Sequence, residues 1–342
     1  MTGSVRAAVV GCGDVSIVHL RAIAEREGSE LVGVADVDTG RREAASRTWS
    51  VPGFAGVEEL VAAVRPDVVH VCTPHHQHAP VAVAALQADV SVLIEKPLAD
   101  SLEAAHRIAA AERRSRGKLA VCFQNRYNRP VRALAERLRS GDLGPVLGAS
   151  AQVLWRRTGE YYRARPWRGT WAGGGGGLLM NQAIHTLDLL QWLLPPVEAR
   201  SGSAATRSLS QHIEVEDTAE LSLTHRGGAR STLFATLGHA RNAPVRLEVV
   251  TRDAVAVLQE DLRIEHADGT AEVVLDDAPR HAGRSYWGAS HALLIDDFHA
   301  GLDAAAPFWI GLDAGIDTLA TIAAVYAASF PERGGTLRKD IS

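Results

Sequence analysis

The chain has 342 residues, beyond the roughly 250–300 at which a single hydrophobic core stops growing, so two domains are expected. Hydrophobic residues at 46% and charged residues at 22% exclude a disordered chain. A formal net charge of −4 with scattered basic residues excludes the broad positive field that nucleic acid or anionic lipid requires. No apolar run approaches the roughly 20 residues that span a bilayer, and the N-terminus carries no charged-then-apolar leader. A soluble, cytoplasmic protein with a small-molecule partner is expected.

In chain order, the first third alternates short apolar runs with helix-period segments, the pattern of a doubly wound parallel sheet. Strands are expected over 6–10, 30–35, 68–72, 90–95 and 119–123, rich in Val, Leu and Ala without polar alternation, hence buried on both faces. A helix over 101–116 has Ser101 as its cap, Glu103 in its first turn and Gly117 as its stop. Cys12, Cys72 and Cys122 each stand at a strand end, in neither a zinc spacing nor a disulfide framework, and are expected to be buried reduced thiols.

Within this third, Gly11 and Gly13 follow the first strand directly and precede a helix beginning near Ser16. Gly11 permits a tight turn, Gly13 lets backbone approach a pyrophosphate, and Asp14, Val15 and Ser16 lead into a helix N-terminus with free N–H groups. Ser16 replaces the third glycine of the fingerprint and weakens it. The second strand ends in Asp36, about 20 residues on, where a carboxylate meets ribose hydroxyls and repels a 2′-phosphate. NAD is therefore expected, with NADP possible through Arg41 and Arg42.

Past residue 123 the texture changes, so the expected domains are 1–123 and 124–342. A helix over 130–140 presents Val131, Leu134, Ala135 and Leu138 on one face before Gly141. Strand-like segments follow at 146–155, 218–224, 231–237, 245–251 and 254–258, partly alternating and separated by turn residues. The fold class is thus α/β: an N-terminal doubly wound parallel sheet plus a C-terminal α+β domain with a mostly antiparallel sheet. Helices over 291–302 and 315–329 close the chain.

The strand over 90–95 leads into Glu95-Lys96-Pro97, at the sheet edge where such folds bind ligands. A desolvated lysine there can donate to a substrate hydroxyl, Glu95 can orient it, and Pro97 is a candidate cis residue. One helix over 178–194 would place Asn181, His185 and Asp188 along a common face. His75, His76 and His78 lack the acidic or Cys partners of a metal site, and none is expected. The tract Gly173 to Gly177 is not followed by the lysine of a phosphate loop, so a permissive turn is expected. Residues 155–171 mix arginines with Tyr161, Tyr162 and Trp167, which suits a sugar ring: apolar faces beneath, hydrogen bonds around the hydroxyls.

Taken together, Cys72-Thr73-Pro74-His75 with His78, Glu95-Lys96-Pro97, Gln124-Asn125-Arg126-Tyr127-Asn128, Trp167-Arg168-Gly169-Thr170-Trp171 and the stretch from Gly173 to Trp192 resemble the Gfo/Idh/MocA oxidoreductase family over nearly the whole chain. The resemblance implies a Rossmann domain binding NAD(P) and hydride transfer to or from a secondary hydroxyl of a sugar or polyol. It gives Lys96 and His185 the places facing nicotinamide, with Asn181 beside them. Thr73, Pro74, His75, His78, Glu95, Gln124, Trp167 and Arg168 join the cofactor side, and Arg126, Tyr161, Arg168 and Tyr286 the substrate side. Trp287 and His291 are weaker candidates for that wall. Many relatives carry aspartate where this chain has Asn181; asparagine brings no charge, so His185 is expected to titrate lower here. The family also implies a homodimer or homotetramer. It leaves three alternatives: exchanged roles for Lys96 and His185, an NAD-dependent glycoside hydrolase, and a non-catalytic NAD-binding sensor.

Overall fold

The computed structural model describes residues 4–276 and 290–333; Tyr286 and Trp287 lie outside them. Two compact units emerge, one from residues up to 124 together with 290–316, the other from 125–276 with 317–333. The helix Ser290–Ala300 belongs by its contacts to the first unit, although the sequence reading assigns everything past 123 to the second.

In the first unit, β1 (Val5–Val10), β2 (Ser29–Ala35), β3 (Gly53–Phe54), β4 (Val68–Val71), β5 (Ser91–Ile94) and β6 (Leu119–Val121) form one parallel sheet in the order β3-β2-β1-β4-β5-β6. The chain reverses its winding between β1 and β4, which pair directly. That switch point opens the crevice at the carboxyl edge. Ala7, Ala8, Val9, Val34, Val69, Val92 and Leu93 are fully buried, because helices cover both faces. Ser101 caps its helix by accepting the N–H of Ala104 at 3.2 Å. Gly117 does not end that helix, which stops at Glu112. A Cβ at Gly117 would lie 2.5 Å from the Val90 carbonyl oxygen, so close passage of two backbones, not helix termination, requires the glycine.

His70 interrupts the buried strand β4, and His19, His78 and His299 are equally enclosed. Burial pushes His70 well down, and His299 down to about 3 with help from the charges of Arg26 and His19. The unfolded chain therefore binds these protons first as pH falls below 6.5, and folding stability drops toward the folded value. Each such histidine contributes a slope of up to about 1.4 kcal/mol per pH unit. Denaturant midpoints at pH 7.5 and 5.0 are expected to differ less in His299→Gln than in the parent; equal differences reject the assignment.

In the second unit, strands β7 (Val146–Leu154), β8 (Val197–Ala205), β9 (Thr218–His225), β10 (Arg230–Thr236), β11 (Arg246–Thr251), β12 (Ala254–Gln259), β13 (Asp261–His266) and β14 (Ala271–Val274) form a sheet ordered β14-β13-β12-β11-β7-β10-β9-β8. All its pairs are antiparallel except β7 with β10. Leu221, Leu233, Leu247 and Val249 alternate into the core, where the helices Arg129–Ser140 and Ile184–Leu193 pack. The sequence reading misses β8, β13 and β14. Strand β8 is Ser-, Gly- and Ala-rich, with little intrinsic strand preference, and exists because β9 pairs with it throughout.

The expected helix over 178–194 is broken into Leu178–Asn181 and Ile184–Leu193. Gln182 and Ala183 both donate to the Leu178 carbonyl, so one extra residue is accommodated at the junction. The four-residue spacing of Asn181 and His185 therefore does not carry the shared helical face it would have on an unbroken helix.

Candidate active site

Gly11 adopts φ 93°, and a Cβ there would lie 2.6 Å from the Cys72 carbonyl carbon and 2.7 Å from the Thr73 nitrogen. Only glycine lets the first turn pass the end of β4. Gly13 is the opposite case, with nothing within 4 Å of where its Cβ would be. Its backbone faces open space, as a cradle for a pyrophosphate must. Ser16 compensates for the absent third glycine: it is buried and its hydroxyl donates to the Gly13 carbonyl at 2.7 Å. No side chain caps the helix that follows, Ser16–Glu25; the Val18 N–H turns back to the Val15 carbonyl at 3.1 Å, and the N–H groups ahead of it are placed to meet an anion.

Asp36 is buried at the end of β2, with Oδ2 accepting the Cys12 N–H and Oδ1 the Asp38 N–H, both at 2.8 Å. A carboxylate has about four acceptor positions, so two remain for ribose hydroxyls. Arg41 Nε lies 4.0 Å from Asp36 Oδ2, and Arg42 donates to the Asp36 carbonyl at 2.9 Å. Burial and the Asp36 charge push the Cys12 thiol up to about 12, and burial holds Cys72 and Cys122 well above the usual range. All three are free thiols, although Cys12 is only partly buried.

The ends of β4, β5 and β6 meet along the same sheet edge. Lys96 is half-buried there and its bond to Pro97 is cis. Thr73 Oγ1 and Gln124 Oε1 are buried without hydrogen-bond partners, the state expected of atoms that a ligand's polar groups satisfy. These features fit a dinucleotide. His78 and Glu95 are both held by partners within the protein. His78 is buried, with ring nitrogens 2.7 Å from the Pro97 carbonyl and 3.0 Å from that of Thr73, so it joins the two turns. Glu95 is buried against His19 at 3.0 Å and His291 at 3.5 Å; burial raises its carboxyl, but the bonds and charges of those two histidines hold it well below its usual range. His291, a weak substrate candidate, is thereby engaged in the core. Among the described residues, no metal-holding set of His, Cys and carboxylate includes His75, His76 or His78.

In the second unit Tyr161 is the centre of a polar aromatic cluster. Its hydroxyl accepts from Asn181 at 3.5 Å and Gln182 at 3.3 Å, and the guanidinium groups of Arg157 and Arg168 lie 5.1 and 5.0 Å from its ring centre. Arg168 also covers Trp167 at 5.5 Å. Asn181, His185, Trp167 and Arg168 are all half-buried, as ligand-facing groups are. Arg126, expected on the substrate side, is buried, and its Nε and Nη2 bind the Asp188 carboxylate at 2.9 and 2.6 Å.

The glycine tract is a packed turn. Glu216 accepts the N–H groups of Gly177 and Leu179, both at 2.8 Å, and the Tyr326 hydroxyl at 2.7 Å. Burial pushes its carboxyl up to about 7 against the lowering effect of those bonds. Sequence reasoning missed Glu216 and, in the first unit, His19, His70 and His299. Their signal was a polar residue inside or just before an apolar buried run: His70 in β4, Glu216 ahead of β9.

A parallel sheet with this glycine cradle and terminal acid, joined in one chain to a mostly antiparallel sheet, defines a two-unit dehydrogenase built on an NAD-binding Rossmann domain. The chain belongs to the GFO/IDH/MocA oxidoreductase family: the family's NAD-binding Rossmann domain matches residues 5–123 and its C-terminal domain residues 131–257. It is similar to D-apiose dehydrogenase of Paraburkholderia graminis, 27% identical over 85% of this chain and 78% of that protein. It is also similar to D-glucoside 3-dehydrogenase of Escherichia coli, 32% identical over 62% of this chain, a stretch that spans 58% of that relative. The WlbA dehydrogenase of Bordetella pertussis, solved with NADH and UDP-GlcNAcA, superimposes with a TM-score of 0.83 at 28% identity, over 95% of this chain and 96% of that one.

Proposed function

We propose that the chain oxidises a secondary hydroxyl of a sugar, sugar derivative or polyol with NAD, and that Lys96 and His185 act on that hydroxyl. NAD, when bound, supplies the hydride acceptor. The observation that carries the reading is the sheet edge itself: a half-buried lysine beside the buried, unsatisfied oxygens of Thr73 and Gln124, next to an open glycine cradle. The named activities of the relatives support the substrate class.

In this mechanism a ring nitrogen of His185 takes the hydroxyl proton, and the Lys96 ammonium donates to the oxygen as negative charge develops there. Trp167 and Tyr161 offer faces to the sugar ring, while Arg168 and Asn181 donate to its hydroxyls. NADH absorbance across a panel of free sugars and polyols tests the reaction. Net NADH formation supports it, whereas glycosidic cleavage without net NADH replaces it with a hydrolase, and no turnover with any substrate leaves a sensor.

Asp36 selects NAD over NADP by like-charge repulsion of a 2′-phosphate. Asp36→Ala is expected to lower the ratio of kcat/KM for NAD over NADP by at least about tenfold, or ~1.4 kcal/mol. An unchanged ratio transfers selectivity to Arg41 and Arg42.

The chain assembles as a homodimer or homotetramer in this reading, supported by Leu147, Phe234 and Val273, which stand exposed on strands of the second unit's sheet. Among the described residues no helix is long and apolar enough to cross a membrane. Three free thiols support a reducing, cytoplasmic setting.

A further inference from the structure

A continuous file of hydrogen-bonded side chains crosses the first unit. Ser29, at the start of β2, lies 3.0 Å from His299 Nδ1. His299 Nε2 lies 2.9 Å from His70 Nε2, His70 Nδ1 lies 2.9 Å from His19 Nδ1, and His19 Nε2 lies 3.0 Å from Glu95 Oε1. The three imidazoles are 0–2% exposed. The file therefore begins near the amino edge of the sheet and ends, at Glu95, one residue before Lys96.

The bonds impose an order on one another. With Glu95 ionised and His70 and His299 neutral, one proton per bond satisfies every link when each ring donates toward Glu95. His19 then donates from Nε2 and accepts at Nδ1 from His70; His70 accepts at Nε2 from His299; His299 accepts at Nδ1 from the Ser29 hydroxyl. Each ring fixes the tautomer of the next. Two donors, His19 and His291, already serve the carboxylate, and the Cys122 thiol bonds to it as well. What His70 and His299 add is the locking of His19 as a donor.

Glu95 is the chain neighbour of Lys96, and the charges of both reach the same two groups. The Cys122 thiol feels both the Glu95 charge, which raises it, and the Lys96 charge, which lowers it; the His78 imidazole also feels both. The groups packed around Glu95 are His19 from the helix Ser16–Glu25, His291 from the helix Ser290–Ala300, Cys122 beyond β6, Cys72 beyond β4, and His78 and Lys96 at the turns.

We propose that the file from Ser29 through His299, His70 and His19 locks Glu95 as an anion, and that this anion keeps Lys96 a charged hydrogen-bond donor to the substrate oxygen, leaving proton acceptance to His185. This rests on the function proposed above and settles which of two interchangeable roles Lys96 plays. His19, His70 and His299 are positioning residues, since they act through Glu95.

The pH dependence of kcat tests it, with NAD and a free polyol that the enzyme oxidises. In the parent, the alkaline limb marks loss of the Lys96 proton. Glu95→Gln removes the anion, so the ammonium loses its proton more readily and the limb moves to lower pH, by about one to three units. His70→Leu cuts the file and moves the limb the same way, and the double variant moves it no further than Glu95→Gln alone. His299→Leu repeats the shift, while His299→Gln, whose amide can still donate to His70, restores the parental limb; this pair decides the matter where His70→Leu fails to fold. A parental limb in His70→Leu or His299→Leu, or additive shifts in the double variant, overturns the proposal. Full turnover in Lys96→Ala instead overturns the function on which it rests.

Discussion

Lys96→Ala and His185→Ala are each expected to lower kcat by about 10²–10⁴-fold, the usual contribution of one positioned proton-transfer or charge-stabilising group. Binding of NAD, followed by fluorescence titration, should change little, because the glycine turn at Gly11 and Gly13 and the acid at Asp36, the proposed cofactor contacts, lie on other turns. Lys96→Arg tests shape as well as charge: guanidinium stays cationic but is planar and longer, so it should recover only part of the loss. Full activity in either alanine variant removes that residue from the mechanism. If Lys96 is the donor and His185 the acceptor, the acidic limb of the kcat profile disappears in the residual activity of His185→Ala and persists in that of Lys96→Ala.

Asp188→Ala should be the most damaging single change to stability in the second unit. Asp188 and Arg126 are both buried, and two parallel bonds at 2.6 and 2.9 Å join them. The guanidinium also lies 5.2 Å from the centre of the Trp192 ring. Burial raises the Asp188 carboxyl, outweighing the lowering by the Arg126 charge and bonds. Removing the acid leaves a guanidinium enclosed without its partner, a loss of about 3–5 kcal/mol. Equilibrium denaturation measures it. The double change Asp188→Leu with Arg126→Met should recover most of the loss, since an apolar pair of similar volume has no charge to desolvate. A loss below about 1 kcal/mol in Asp188→Ala would mean that the arginine finds solvent. Asp188 lies three residues beyond His185 on the helix Ile184–Leu193, so the stability loss should be accompanied by reduced turnover.

Much of the first unit was legible because its signals are local. A both-faces-buried parallel strand is an apolar run whatever surrounds it, and the runs read as ending at Val10, Ala35, Cys72, Glu95 and Phe123 stand out for that reason, one or two residues past the observed ends of the last three. Gly11, Gly13 and Asp36 could be read because a tight turn, an open backbone and a terminal acid each require particular residue types at fixed spacing. The two-residue strand β3 has no such signal: Gly53 and Phe54 are extended because β2 is there to pair with them.

Polar residues in the core were less legible. Arg126 reads as a substrate-side residue, and only the structure shows Asp188, 62 positions away, closing on it. Gly117 reads as a helix stop, and its true constraint is the Val90 backbone. The break after Asn181 follows from extra backbone bonding at Leu178, which periodicity cannot register.

By itself the sequence determined the alternating first unit, the strand-rich second one, and the residue types able to bind a dinucleotide and act on a hydroxyl, since periodicity, turn chemistry and side-chain functional groups are properties of short segments. Tertiary structure alone decided which buried polar groups meet: His299 with His70, His70 with His19, His19 with Glu95, Glu216 with the glycine turn. A hydrogen bond inside a core depends on two groups reaching about 3 Å of each other, and distance in space is what a linear pattern does not carry.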